Sequence, residues 1–406
     1  MSRVETTTNF RDSNGVDLGK KIITKDYLIS VYPGIGQQIG IPPELWTWGY
    51  GTQGQLGTNT TTDKSTPVTT SAGGTNWKQV STGRYHCAAI KTDGTLWTWG
   101  VGGLGAPGAL GDNTATNKST PVTTFAGGTN WKQVSSGGYH CVAIKTDGTL
   151  WTWGSATFGK LGTNDTTTNK STPVTTFAGG TNWKQVSAGS QHCAAIKTDG
   201  TLWTWGDGSQ GKLGDNSTIA KSIPVTTFAG GTNWKQVSGG GQHCAAIKTD
   251  GTLWTWGQGG NGQLGDNTTI NKSTPVTTFA GGTNWKQVSA GSNPHCAAIK
   301  TDGTLWTWGF GNFGQLGDNT ATGKSTPVTT FAGGTNWKQV SAGYRHCAAI
   351  KTDGTLWTWG YGGFGQLGTN TTINKSTPVT TFAGGTNWKQ VSSDSNHCAA
   401  IKSVDF

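Results

Sequence analysis

Seven His-Cys pairs hold the residues of this 406-residue chain best suited to chemistry: His86-Cys87, His140-Cys141, His192-Cys193, His243-Cys244, His295-Cys296, His346-Cys347 and His397-Cys398. They use every histidine and cysteine present. A neighbouring imidazole and thiol could ligate zinc, or act as base and nucleophile. Neither chemistry fits the pattern. Adjacent residues on a strand point to opposite faces, and no second pair is near in sequence. Catalysis also needs one locally distinct constellation, whereas these pairs are seven equivalent copies. The only glutamates are Glu5 and Glu44, and the aspartates mostly sit in TDG and GDN, where Asp forms turns. The chain is therefore expected to be non-enzymatic, without metal or cofactor. Its odd number of cysteines on separate sectors reads as small buried residues, not as disulfides.

A second candidate is WTWGQGGNGQLGDN at residues 254–267, where Gly257, Gly259 and Gly262 match Gly-x-Gly-x-x-Gly. A dinucleotide loop must open a helix, whose free N–H groups hold the pyrophosphate. Here turn residues follow instead, and the same spacing recurs in the copies beginning at residues 46, 203, 306 and 357. Five copies of such a loop are architecture.

The elements that position these residues repeat. Successive cysteines lie 54, 52, 51, 52, 51 and 51 residues apart, and seven WTW and seven NWK motifs account for all 21 tryptophans. Each unit reads as four strands: NWKQVS, HCAAIK, TLWTWG and PVTTF. A TDG turn of type I′ joins the second to the third, and Pro opens the fourth. Four strands in a period near 51 residues predict a β-propeller blade, so the fold class is all-β with seven blades. The first LWTWG lacks a preceding second strand, and the last HCAAIK lacks a following third. Pairing Leu45–Trp48 with Cys398–Lys402 would close the ring and remove two free edges. Trp set against small Ala and Cys suits the wedge between blades, with all 21 tryptophans expected inside.

The pattern G-x-x-H-x-x-A-x-x-x-D-G-x-L-W-x-W-G followed by GQLG resembles the regulator-of-chromosome-condensation repeat family, across residues 45 to 402. GNFGQLGDN at residues 311–319 is close to its signature loop. The resemblance implies a seven-bladed propeller. It also implies either guanine-nucleotide exchange on a small GTPase with chromatin binding, as in the eponymous member, or a binding platform. Exchange in that member uses a protruding wedge; here the largest excess in any loop is three residues, in VGGLGAPGAL.

Copies differ in two places, the turn between first and second strands and the loop after WTWG. Up-and-down topology sends both to one face, the arrangement of a binding surface on a rigid scaffold. Those positions carry Tyr50, Arg84, Tyr85, Tyr139, Phe158, Phe310, Phe313, Tyr344, Arg345, Tyr361 and Phe364, a paratope-like mixture taken as the ligand-binding residues. The net charge of +10 spreads at about one per blade without a basic run, which reads as a solvated surface and not a nucleic-acid footprint. Residues 1–44 form an arm with an apolar patch, YLISVYPGI at 27–35, expected to dock on a partner. MSRVETTT lacks an apolar stretch, so no signal peptide of the usual kind is expected, and nothing approaches the length of a membrane span. The arm resembles leader segments of tailed-bacteriophage structural proteins. Together these features predict a phage virion tail or surface appendage recognising a host receptor or glycan. The alternatives are an exchange factor, a protein-interaction scaffold, or a structural capping protein.

Overall fold

Alternating side chains along HCAAIK and LWTWG give each segment two faces to bury, so every sheet must be covered on both sides. The computed structural model, which describes residues 6–11, 17–23, 41–103 and 107–404, meets this demand with seven four-stranded antiparallel sheets around an axis. Blade 1 consists of Trp77–Thr82, His86–Lys91, Leu96–Gly100 and Lys118–Thr123, hydrogen-bonded in chain order. Blades 2 to 6 repeat it. Blade 7 takes Trp388–Asp394 and His397–Val404 from the C-terminal end, and Ile41–Gly49 and Lys64–Thr69 from the N-terminal end. Leu45 pairs with Ile401 and Trp48 with Cys398, as expected, and the pairing continues to Ile41 opposite Val404. A separate hairpin joins Thr6–Arg11 to Asp17–Ile23. The apolar patch at 27–35, expected to dock on a partner, lies outside the described residues.

Two local expectations are corrected. The fourth strand is KSTPVT, not PVTTF, with Pro121 inside it. Pro is tolerated there because the strand is outermost and its register shifts between Thr98 and Gly100 of the partner strand. Phenylalanine falls beyond the strand end, and Phe125, Phe177, Phe228, Phe279, Phe331 and Phe382 are each 64–67% exposed. The TDG turn is not type I′, which needs positive φ at both central residues. Only Gly94 is left-handed, at φ 81°, while Asp93 Oδ1 accepts from Thr95 N and Oγ1. A Cβ on Gly94 would also lie 2.0 Å from Thr129 O of the connection to the next blade.

The first strands carry a second regular irregularity. Trp77 pairs with Lys91 and Gln79 with Ile90, which leaves Lys78 as the extra residue of a β-bulge. The same shift frees Lys132, Lys184, Lys235, Lys286, Lys338 and Lys389, and all seven side chains are exposed.

Between blades, Trp77, Val80, Cys87, Ala89 and Trp99 of blade 1 pack on Leu45, Ala399 and Ile401 of blade 7, and the other six interfaces repeat this. Not all tryptophans are buried. The NWK tryptophan and the second of WTW are, but the first of WTW is half-buried. The Lys ending each second strand covers it: Lys91 Nζ lies 4.4 Å from the Trp97 ring and 4.8 Å from that of Trp77. This is the snorkelling geometry of an amphipathic cation.

Polar rings lock the blades together. Gln79 Nε2 donates to Val134 O (2.8 Å) while its Oε1 accepts from Val134 N (3.0 Å) in the next blade. Each first-strand Gln repeats this, and Gln390 closes the belt on Val80 at 3.1 and 2.9 Å. A parallel ring of serines accepts N–H bonds, from Ser136 N to Ser81 Oγ round to Thr82 N to Ser392 Oγ. The His-Cys pairs form the third ring. His86 Nε2 meets Cys141 Sγ at 3.1 Å, and His397 Nε2 closes on Cys87 Sγ at 3.2 Å. Burial lowers His192 and His397 to about 3 and His86 to about 4, and pushes the Cys141 thiol up to about 12. All seven thiols are free, and each pair is a neutral contact.

Two outcomes follow for stability. A histidine whose folded pKa lies below its unfolded value of about 6.5 stabilises the fold fully above that value. Denaturation midpoints should therefore be flat above neutrality and fall from about pH 6.5 towards pH 4, each histidine contributing up to about 1.4 kcal/mol per pH unit. Replacing Gln236 by Leu orphans Val288 N and O, which it bonds at 3.0 Å each, and should cost about 1–3 kcal/mol in urea unfolding.

Candidate interaction face

The first strand of each blade runs away from the TDG end and the second returns to it. The turn between them and the loop after WTWG therefore share the opposite end of the ring, as the sequence pattern required. The glycine-rich loops turn inward. Thr255 Oγ1 donates to Leu264 O (2.6 Å), and Trp308 Nε1 of the following blade donates to Gln263 O (2.9 Å). Gly265 is left-handed, and a Cβ there would stand 2.8 Å from Trp308 Nε1. The loop is a rivet between blades, and no helix follows it to receive a phosphate.

Aromatic side chains gather on this face across blade boundaries. Tyr50 of blade 7 meets Phe364 of blade 6 edge to face at 5.1 Å. Phe364 continues to Tyr361 (6.0 Å), Tyr361 to Phe313 of blade 5 (5.3 Å), and Phe313 to Phe310 (6.1 Å). Arg345 lies 4.5 Å over the Phe313 ring and 4.9 Å over Tyr344, tying a first-to-second turn to a neighbouring loop. A second group places Arg84 over Tyr85 (5.1 Å) and Tyr139 (5.7 Å), whose rings are 5.9 Å apart. Ten of the eleven sequence-predicted residues thus fall into two stacked clusters. Phe158 stands apart, 46% exposed, with a left-handed backbone (φ 63°) and no ring contact among the described residues. Blades 3 and 4 present Gln191, Asp207, Gln242 and Gln258 at the matching positions, so the face is aromatic on one side and polar on the other.

One functional candidate escaped the sequence reading. Asp394 replaces the glycine found in the other six first-to-second turns, a departure visible in SDSNH. It borders an axial cavity of about 120 Å³ lined mainly by serine hydroxyls and glycines. Elsewhere the turns bond head to tail, as in Ser190 N to Gly240 O (3.1 Å) and Gly241 N to Gly291 O (3.0 Å). At Asp394 this ring is broken. Tyr344 N bonds Ser395 O instead, and Ser395 N turns to the Asp394 carboxylate (2.6 Å). The hydroxyl of Ser292 reaches the same carboxylate from two blades away. Burial raises Asp394 to about 6, against the hydrogen bonds from Ser292 and Ser395 and the charge of Arg84. Among the described residues no group of three or more metal-ligating side chains occurs.

Residues 42–332 match the RCC1-like domain, and residues 353–401 and 337–366 match the regulator of chromosome condensation (RCC1) repeat. The chain is 31% identical over 337 residues to the ultraviolet-B receptor UVR8 of Arabidopsis thaliana, covering 82% of this chain and 76% of that protein. It is 30% identical over 319 residues to the human E3 ubiquitin-protein ligase HERC2, covering 76% of this chain but 6% of the ligase. In structure it is similar to Prp20p of Saccharomyces cerevisiae, with a TM-score of 0.78 at 20% identity over 90% of this chain and 92% of that one. Human WBSCR16 gives a TM-score of 0.77 at 20% identity, over 89% and 98%.

These relatives overturn the expectation of a phage virion appendage recognising a host receptor or glycan. That expectation leaned on a few residues of the arm. The repeats, which make up most of the chain, carry a similarity to plant, animal and yeast proteins instead.

Asp394 gives a direct test of the cavity's electrostatics. A carboxyl with a raised folded pKa stabilises most below its unfolded value near 4, and that contribution is lost as pH rises through about 6. Asp394→Asn should match the parent in unfolding experiments at pH 4 and exceed it at pH 7.5. The gain should be about 1 kcal/mol, since the cavity side of the carboxylate remains partly accessible to water.

Proposed function

The chain belongs to the regulator of chromosome condensation repeat family, and from that premise we propose that it is a non-catalytic protein-interaction propeller. A protein partner docks on the variable face. The observation that carries this reading is the stacked array from Tyr50 to Phe310, with Arg345 laid over it. Rigid aromatics and arginines, half-exposed and held by one another, are the residues that dominate binding energy at protein interfaces. The ring supplies the preorganisation, because turns and loops of adjacent blades are bonded to each other before any partner arrives.

The relatives support a binding role and indicate probes. The Prp20p structure is described with binding to Gsp1p and histones, and the repeat also occurs as a small part of the ubiquitin ligase HERC2. Each blade has only its four strands among the described residues, with no additional strand or wedge inserted. This favours a scaffold over nucleotide exchange.

Purified Gsp1p and core histones serve as the test partners. The triple variant Tyr85→Ala, Tyr344→Ala, Tyr361→Ala should keep its thermal midpoint within a few degrees, because these rings are only half-buried. It should lose about tenfold or more in affinity for whichever probe binds the parent. Unchanged affinity removes this face from consideration. Accelerated nucleotide release from Gsp1p by the parent chain would replace the scaffold reading with exchange.

A further inference from the structure

The opposite face of the ring, where the TDG turns and blade connections emerge, is uniform in sequence over blades 1 to 6 and carries the larger excess of positive charge. The seven bulge lysines from Lys78 to Lys389 lie on the innermost strands, at the TDG end of the axis. All are exposed, and none makes an ion pair or hydrogen bond among the described residues. At the variable end four of the seven fourth-strand lysines behave differently: Lys118, Lys221, Lys272 and Lys324 pair with Asp112, Asp215, Asp266 and Asp318 at 3.4–3.7 Å. On the TDG face the bulge lysines and the lysines over tryptophan make fourteen cations. Among the described residues they stand against the six TDG aspartates and Glu44. The charge that sequence distributes evenly, one excess lysine per repeat, is thus gathered in space around one opening. Farther from the axis, the six phenylalanines beyond the fourth strands leave about two thirds of their surface in water.

We propose that this face docks the ring on an anionic lipid bilayer, with the axial lysines at the headgroups and the outer phenylalanines in the interfacial layer. Seven equivalent sectors place equivalent groups at one height, so all can meet a planar surface together. GGTNWKQVS is the same in all seven units, so outside blade 7, which lacks the TDG turn and carries Ser71 in place of phenylalanine, the face offers little asymmetric address for a protein to read. A bilayer is uniform along its plane and requires none. Anionic headgroups attract clustered lysines within about a Debye length, ~8 Å at physiological salt. Apolar side chains beside them add the second anchoring signal that stable peripheral attachment requires. A nucleic acid would satisfy the lysines and leave the phenylalanines in water. A second copy of the same face would bring like charges together.

The test is co-sedimentation of the full chain with phosphatidylcholine vesicles, with and without phosphatidylserine. The parent should bind the phosphatidylserine vesicles at least about tenfold more tightly, and lose that preference as salt is raised. Lys235→Gln with Lys286→Gln and Lys338→Gln should abolish the preference. Phe228→Ser with Phe279→Ser and Phe331→Ser should weaken binding several-fold. Serine occupies the matching position in blade 7, at Ser71, so the ring accepts it, and circular dichroism verifies that each variant is folded. The variable-face triple variant should bind vesicles as the parent does, which separates the two faces. No binding to phosphatidylserine vesicles, or binding that neither set of substitutions changes, overturns the proposal. So does binding to single-stranded DNA that needs the lysines but not the phenylalanines, in the absence of vesicle binding.

Discussion

The Gln belt on the innermost strands is the constraint on which the molecule rests. First strands of neighbouring blades do not belong to one sheet, so their inward N–H and C=O groups have no ladder partner. The side chain of Gln79 supplies both halves of the missing pair to Val134, and each successive glutamine does the same until Gln390 returns to Val80. A ring of identical reciprocal bonds fixes the angle between blades, because each amide must reach donor and acceptor together. The wedge of tryptophan, alanine and cysteine then fills the space that this angle defines. Hydrophobic burial supplies most of the free energy, but the belt decides how many sectors fit around the axis.

Fixed sectors give the ring its two unlike faces. At one end the sequence varies and the side chains are aromatic and guanidinium groups stacked across blade boundaries. At the other the sequence is constant, with lysines near the axis and phenylalanines farther out. Membership of the RCC1 repeat family establishes the scaffold, and relatives as different as an ultraviolet-B receptor and a ubiquitin ligase share it. Function must then be sought in what each face presents. The variable face suits a partner with features of its own; the constant face suits one without.

Much of this was legible in the residues. The period near 51, the unmatched LWTWG at Leu45 and the unmatched HCAAIK at Lys402 dictated seven blades and their closure. The clustering of Tyr50, Phe313, Tyr361 and Phe364 followed from where turns and loops must emerge. Features that depend on contacts between repeats were not legible. His86 and Cys141 lie in different blades, and reasoning within one strand could only show that adjacent His and Cys diverge. The bulge at Lys78 depends on how Trp77 and Gln79 register with the second strand, so an even charge in sequence became a ring in space. The fourth strand began at Lys118, earlier than Pro121 suggested, because an outermost strand can absorb a missing N–H. Asp394 was visible as the one turn lacking glycine, but its importance appears only where the turns bond head to tail. The arm's likeness to phage leaders misled because composition in a short segment says little about the setting of the whole.

The closing strand has a consequence for how the molecule is made. Residues 41–49 emerge from the ribosome long before their partner, residues 397–404. Until then one sheet edge waits beside six nearly interchangeable copies of its proper neighbour. Synthesis is therefore a race between correct circularisation and capture by another sector or another nascent chain. The longer reach of the true pairing, out to Ile41 opposite Val404 and beyond anything the internal copies provide, gives the correct ends their advantage.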